Sequence, residues 1–209
     1  MTRICIVCEG ATEVEFVQKC LAPYLQTNSS AKMYAVNLKG NVSVERLADR
    51  MSGLYYQTNR ITTLVDFYGF KHREGRTCEQ LQDAIREQVA KRTTRYDARF
   101  VLPYVQMHEF EALLFSFSNP DVFACVEDGW NERSRAELQE VQRGFETPED
   151  INDGAETAPS KRLEKIFGAG AYDKKEHGFL VAEKIGIETI RKRCPRFNEW
   201  VEQLAAWGT

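Results

Sequence analysis

The chain has 209 residues, 43% of them hydrophobic, and a net charge of -3. That is enough apolar material for a real core, in one large domain or one domain with an appendage. The slightly acidic balance argues against nucleic-acid affinity spread over the whole surface and leaves room for a local basic patch. No apolar run approaches the roughly 18 residues of a membrane span. The amino end lacks a basic segment followed by an apolar one, so no signal peptide is expected and the cytoplasm is the expected location. Six cysteines, at positions 5, 8, 20, 78, 125 and 194, show no paired rhythm. Cys5 and Cys8 have the spacing of half a zinc site, but a strand puts them on opposite faces and no second pair follows. They are expected to be buried and free.

Ile4 to Cys8 is a continuous apolar run, the pattern of a strand covered on both faces. Glu9 sits where that strand ends, Gly10 permits a tight turn, and Thr12 with Glu15 reads as a capping box opening a helix. Met33 to Leu38 is a second strand, followed by a helix capped by Ser43. Ile61 to Val65 is a third, ending at Asp66. A polar loop runs through Gly75, and Thr77 with Gln80 starts the next helix. Phe100 to Met107 is a fourth strand, and Pro103 within it points to an edge position or an irregular start. His108, Glu109, Phe110 and Glu111 lead into apolar Ala112 to Phe115, read as a further helix. Alternation of strand and helix implies an α/β fold with a mostly parallel sheet and right-handed crossovers.

After Pro120 the strand signal disappears, and short helices separated by glycines, Gly154 among them, follow. The expected division is an α/β domain over residues 1–118 and a helical extension over 119–209 that packs on it and completes the site. Acids crowd the stretch from Glu127 to Glu156, and Lys and Arg gather from Lys161 to Arg196.

Glu9, Asp66 and Glu109, with Glu13 and Glu111 close by, follow strand ends, where open α/β sheets keep their ligands. Hard cations such as Mg²⁺ or Mn²⁺ prefer carboxylate oxygens and leave positions for water and substrate phosphate. The expected metal ligands are therefore Glu9, Glu13, Asp66, Glu109 and Glu111. The strands ending at Glu9, Asp66 and Met107 are expected to lie side by side. Pro159 before Ser160, Lys161 and Arg162 marks a helix start whose free N–H groups suit a phosphate. Lys174 and Lys175 make a second phosphate-tracking stretch, and Gly10, Ser160, Arg162, Lys174 and Lys175 are the expected substrate contacts. His108-Glu109 begins like a zinc-protease motif, but position 112 is Ala, so that reading loses its defining ligand. Trp200, Leu204 and Trp207 have the spacing of core residues.

The strand leading into Glu9-Gly10-Ala11-Thr12-Glu13 resembles the first motif of the Toprim domain. The full set of marks resembles a bacterial Toprim-related family of unknown function, similar to the Toprim domains of overcoming-lysogenization-defect (OLD-type) nucleases. These marks are Glu9 to Glu13, Val65-Asp66-Phe67-Tyr68-Gly69, His108-Glu109-Phe110-Glu111-Ala112, Glu146-Thr147-Pro148-Glu149, Ala158-Pro159-Ser160-Lys161-Arg162 and Cys194-Pro195-Arg196-Phe197. The resemblance implies a Toprim-like sheet and Mg²⁺- or Mn²⁺-dependent cleavage of nucleic-acid phosphodiesters. Catalysis would fall to Glu9, Glu109 and Lys161, the lysine stabilising transition-state charge. Tyr68 departs from the pattern, standing where an Asp-x-Asp pair places its second acid. That departure supports an alternative, a non-catalytic module that binds a nucleotide or nucleic-acid end for a partner ATPase.

Overall fold

The computed structural model describes residues 2–27, 30–151 and 157–208. Gly154 and Glu156, read above as a helix break and the end of the acidic stretch, lie outside them. The chain divides into two compact units, one of Met1–Gln106 with Glu202–Thr209 and one of Met107–Val201. Residues 107 to 118, expected with the α/β part, are thus counted with the second unit.

The first unit is a parallel sheet with flanking helices. Its strands are β1 (Arg3–Cys8), β2 (Lys32–Asn37), β3 (Arg60–Asp66), β4 (Val101–Leu102) and β5 (Val105–Gln106). The order is β2-β1-β3-β4, with β5 also on β3 and every pairing parallel. Ile4 to Cys8 are fully buried, as a central strand covered on both faces requires. The strands preceding Glu9 and Asp66 are neighbours, and Asp66 stands in register with Gln106 of β5, one residue before Met107.

The expected fourth strand is broken in two. Pro103 has no N–H to give the ladder. The hydroxyl of Thr63 substitutes there, accepting from Tyr104 N at 2.8 Å and donating to Tyr104 O at 2.7 Å. The break lies at the sheet edge, where proline is tolerated.

The first helix also differs from expectation. Its segment α1 (Ala11–Phe16) starts two residues earlier, with Gly10 as N-cap. Glu13, three residues beyond Gly10, makes the reciprocal contact in place of the expected Thr12 and Glu15. A π turn over Val17–Leu21 then leads into α2 (Ala22–Gln26). A regular helix would drive the Pro23 ring into the carbonyl four residues back, and the wider turn relieves this. Helices α3 (Val44–Leu54) and α4 (Cys78–Arg92) open as expected, with Ser43 Oγ accepting from Arg46 N and Thr77 exchanging bonds with Gln80.

The second unit is helical, with α5 (Glu132–Arg143), α6 (Pro159–Phe167), α7 (Lys174–Ile185), α8 (Ile187–Arg193) and most of α9 (Pro195–Ala206). Its centre is Phe110–Ser116, all seven residues buried, against which α5, α6, α7 and α8 pack. That segment was expected as an α-helix and is a run of 3₁₀ turns. Trp200 is buried beside Phe197, their rings 5.7 Å apart, and Leu204 is fully buried, so both serve the core. Trp207 is half-buried, with the Arg60 guanidinium 5.9 Å from its ring. Among the described residues no helix is long and apolar enough to cross a membrane.

Candidate active site

In the order β2-β1-β3-β4 the chain moves from β1 outward to β2, then crosses back over β1 to reach β3. With right-handed crossovers the helices after β1 and after β2 lie on opposite faces, so the β1/β3 boundary is the switch point of the sheet. In open α/β folds the crevice at the carboxyl ends of such strands is the ligand site. Glu9 follows β1 there, and Asp66 ends β3.

The Asp66 N–H donates to Glu9 Oε2 at 3.1 Å, which fixes the Glu9 carboxylate over the end of β3. Asp66 itself is buried, 8% exposed. The chain then makes a 3₁₀ turn, Phe67–Gly69. A Cβ added at Gly69 would come within 2.9 Å of Glu9 Cδ, so the Glu9 carboxyl group lies directly on this turn. Glu13 is 4% exposed, and its Oε2 accepts the Gly10 N–H at 2.8 Å. Glu9, Gly10, Glu13 and Asp66 are thus brought together by two side-chain to backbone bonds.

Neighbouring loops tie this edge down. Gly40 N donates to Glu9 O at 2.9 Å, Val42 bridges to Phe70, and the Lys71 ammonium reaches Asn41 Oδ1 at 2.9 Å. Lys39, Gly40 and Asn41 all have positive φ, a costly conformation for the two that are not glycine. Beyond Phe70, the guanidinium of Arg73 lies over two rings, 4.7 Å from that of Phe67 and 4.9 Å from that of Tyr68.

The remaining expected site residues belong to the second unit. His108 has φ 63°, a strained value for a histidine, immediately before Glu109. Glu109 Oε2 accepts the Ser160 N–H at the start of α6, at 2.9 Å. The N–H expected to await a phosphate therefore already holds a carboxylate. Lys161 is exposed and its ammonium meets Glu164 Oε2 at 2.5 Å. Arg162 Nε donates to Thr157 O, and its guanidinium lies 5.3 Å from the Phe145 ring. Lys174 and Lys175 are exposed at the start of α7, where Asp173 caps the N–H groups of Lys175 and Glu176.

Glu111 is buried, 2% exposed. The Tyr172 hydroxyl is buried and lacks a hydrogen-bond partner. Burial first, and then the charges of Glu111 and Asp173, hold its pKa well above the ordinary phenol range, so it stays a neutral donor.

Glu149 is buried and accepts the N–H groups of Arg196 and Phe197 at 2.9 and 3.0 Å, capping α9. Beside it Cys194 Sγ lies 3.2 Å from Ser116 Oγ. Glu149, Gly69 and Arg73 were given no role on the sequence. For Arg73 the available signal was a basic tripeptide, Lys71-His72-Arg73, separated by two residues from the aromatic pair that follows Asp66.

Among the described residues, no three acidic, histidine or cysteine side chains stand close enough to enclose a cation by themselves. A Mg²⁺-type ion does not need such an enclosure, because it keeps several waters and takes one or two carboxylates. Glu9 and Asp66, hard oxygen donors on adjacent strands at the switch point, fit that requirement.

The first unit is thus a doubly wound parallel α/β domain with carboxylates at its switch point, and the second is an all-helical unit. The sequence matches the family described as "Domain of unknown function (DUF4276)" over residues 8–205, and the chain belongs to it. No curated protein matches the chain. Solved structures with a similar course include the C-terminal region of the Xanthomonas campestris pv. campestris OLD protein. The form phased with iodine gives 13% identity, coverage of 99% of this chain and 98% of that one, and a TM-score of 0.46. The form phased with platinum gives 14% identity, coverage of 98% and 96%, and a TM-score of 0.47.

Proposed function

We propose that the protein is a Toprim-like, divalent-metal-dependent nuclease in which Glu9 and Asp66 hold Mg²⁺ or Mn²⁺. The observation that supports this reading is the Asp66 N–H to Glu9 Oε2 bond at the β1/β3 switch point, which fixes the Glu9 carboxylate at the end of the neighbouring strand that Asp66 terminates. A bound ion would supply charge stabilisation for in-line displacement at a phosphodiester and activate the attacking water.

The chain's own residues have separate tasks. The Gly69 backbone leaves the space that the Glu9 carboxylate occupies. Glu13 fixes the Gly10 turn, which aligns the chain after Glu9. Glu109, Glu111 and Lys161 are proposed as accessory groups, and Ser160, Arg162, Lys174 and Lys175 as substrate contacts. Mn²⁺-dependent cleavage of single-stranded, supercoiled and linear DNA, and of RNA, tests the proposal. Wild-type cleavage that persists in Glu9→Gln and Asp66→Asn would refute it.

Tyr68 supports a second reading, a module that binds a nucleotide or nucleic-acid end for a partner ATPase without cutting. Binding of an oligonucleotide with no cleavage under any metal would favour it.

A further inference from the structure

A pair of carboxylates repels a polyanion, so a site built on Glu9 and Asp66 needs a cation of its own to retain a phosphodiester. The first unit carries several cations near the carboxyl edge of its sheet, and most are already committed. The Arg46 guanidinium donates to Leu38 O at 2.7 Å, Lys71 to Asn41 and Arg76 to Glu74. Arg73 differs. Among the described residues its guanidinium has no carboxylate or carbonyl partner, and what positions it is the pair of aromatic faces of Phe67 and Tyr68.

Those two rings are the first two residues of the turn that begins at Asp66, and the third residue of that turn, Gly69, carries the Glu9 carboxyl group against it. One 3₁₀ turn, with a rise of about 2 Å per residue, therefore positions both a carboxylate and a guanidinium. The loop bearing Arg73 is anchored at its start by the Val42 to Phe70 bridge and the Lys71 to Asn41 bond. A guanidinium held by ring faces keeps its planar N–H fork available for phosphate oxygens, which an arginine recognises in pairs.

We propose that Arg73, held on the rings of Phe67 and Tyr68, is the phosphate-contacting residue of this site and grips the backbone of a nucleic-acid strand beside Glu9 and Asp66. This inference rests on the nucleic-acid reading above and assigns the phosphate contact to a residue of the α/β unit. Tyr68 then has a positive task, as part of the platform for the guanidinium.

The test is binding of a labelled single-stranded oligonucleotide, followed by fluorescence anisotropy in EDTA over a series of salt concentrations. Arg73→Gln should weaken binding about tenfold at low salt, as expected for loss of one charge-assisted bond. It should also reduce the slope of log K against log salt by about 0.7, one single-strand phosphate contact. Arg73→Lys should restore the slope but not the full affinity, because lysine keeps the charge without the fork. Mn²⁺ affinity by calorimetry and the melting temperature should not change in either variant.

Wild-type affinity and slope in Arg73→Gln would overturn the inference, as would a wild-type protein that binds no oligonucleotide. Metal-dependent cleavage that is lost in Glu9→Gln, with no Arg73 effect on the slope, would sink the Arg73 assignment alone. An Arg73 effect on the slope with no cleavage under any metal would sink the nuclease reading alone.

Discussion

The Glu9 carboxyl group rests on the backbone of Gly69, so closely that a methyl group at position 69 would lie 2.9 Å from Glu9 Cδ. Gly69 does not need glycine for its own backbone, since its φ is not in the left-handed region. What it supplies is absence of a side chain. Gly69→Ala should therefore leave the fold intact and displace the Glu9 carboxylate. Urea unfolding should show a loss of about 1–2 kcal/mol, the scale of an overpacked site. The loss should shrink by at least about half in a Glu9→Ala background, because the two positions share one contact. Equal losses in both backgrounds would mean that the methyl group is accommodated elsewhere.

Glu109 and Ser160 yield a prediction that separates structure from chemistry. If the Glu109 carboxylate caps α6 as observed, its removal leaves a helix N–H without its acceptor. Glu109→Ala should then lower stability by about 1 kcal/mol, the usual cost of a lost cap, in the absence of any metal. A carboxylate kept only to bind a cation behaves oppositely in metal-free buffer, where its removal relieves repulsion. A stabilised Glu109→Ala in EDTA would contradict the capping role.

Much of the first unit was legible in the sequence because both central strands are covered on two faces and read as unbroken apolar runs. Ile4 to Cys8 and Ile61 to Val65 lie within β1 and β3, and Glu9 and Asp66 stand at their ends. The caps by Ser43 and Thr77 were legible because donor and acceptor are three residues apart. The split of the fourth strand was not, since it depends on a hydroxyl from another strand, Thr63, meeting the chain after Pro103. The bonds of two acids in the helical unit were illegible for the same reason. Glu109 and Glu149 each meet a helix start, 51 residues away for Glu109 and 47 for the first donor to Glu149. Local spacing carries no trace of such a pair.

Thiol chemistry gives a direct check on the packing. Cys5, Cys8 and Cys194 are fully buried, and Cys125 is only partly so. Burial pushes the Cys5 thiol up to about 11 and holds those of Cys8 and Cys194 well above the ordinary range, so little thiolate exists at neutral pH. A thiol reagent added to native protein should modify Cys125 first, with Cys5 and Cys8 reacting only as fast as the fold opens. Mass-spectrometric mapping that finds Cys5 or Cys8 labelled as early as Cys125 would contradict the burial of β1.

Glu149 makes a prediction about pH whose sign follows from its surroundings. Burial, the larger effect, raises its pKa above the usual carboxylate value, and the N–H groups of Arg196 and Phe197 only partly offset this. The folded protein therefore holds this proton more tightly than the unfolded chain, whose glutamate titrates near 4.3. The contribution of this group is fully present below that unfolded value and is lost as pH rises through the raised folded value. Glu149→Gln keeps one acceptor oxygen for α9 and cannot titrate. The stability of wild type relative to Glu149→Gln, from urea unfolding at a series of pH values, should thus fall from about pH 4 toward neutrality and then level off. Glu149→Ala, which leaves both α9 N–H groups without an acceptor, should cost about 2 kcal/mol even at neutral pH. A wild-type advantage over Glu149→Gln that grows as pH rises would mean that the α9 N–H groups outweigh burial and hold the carboxylate charged.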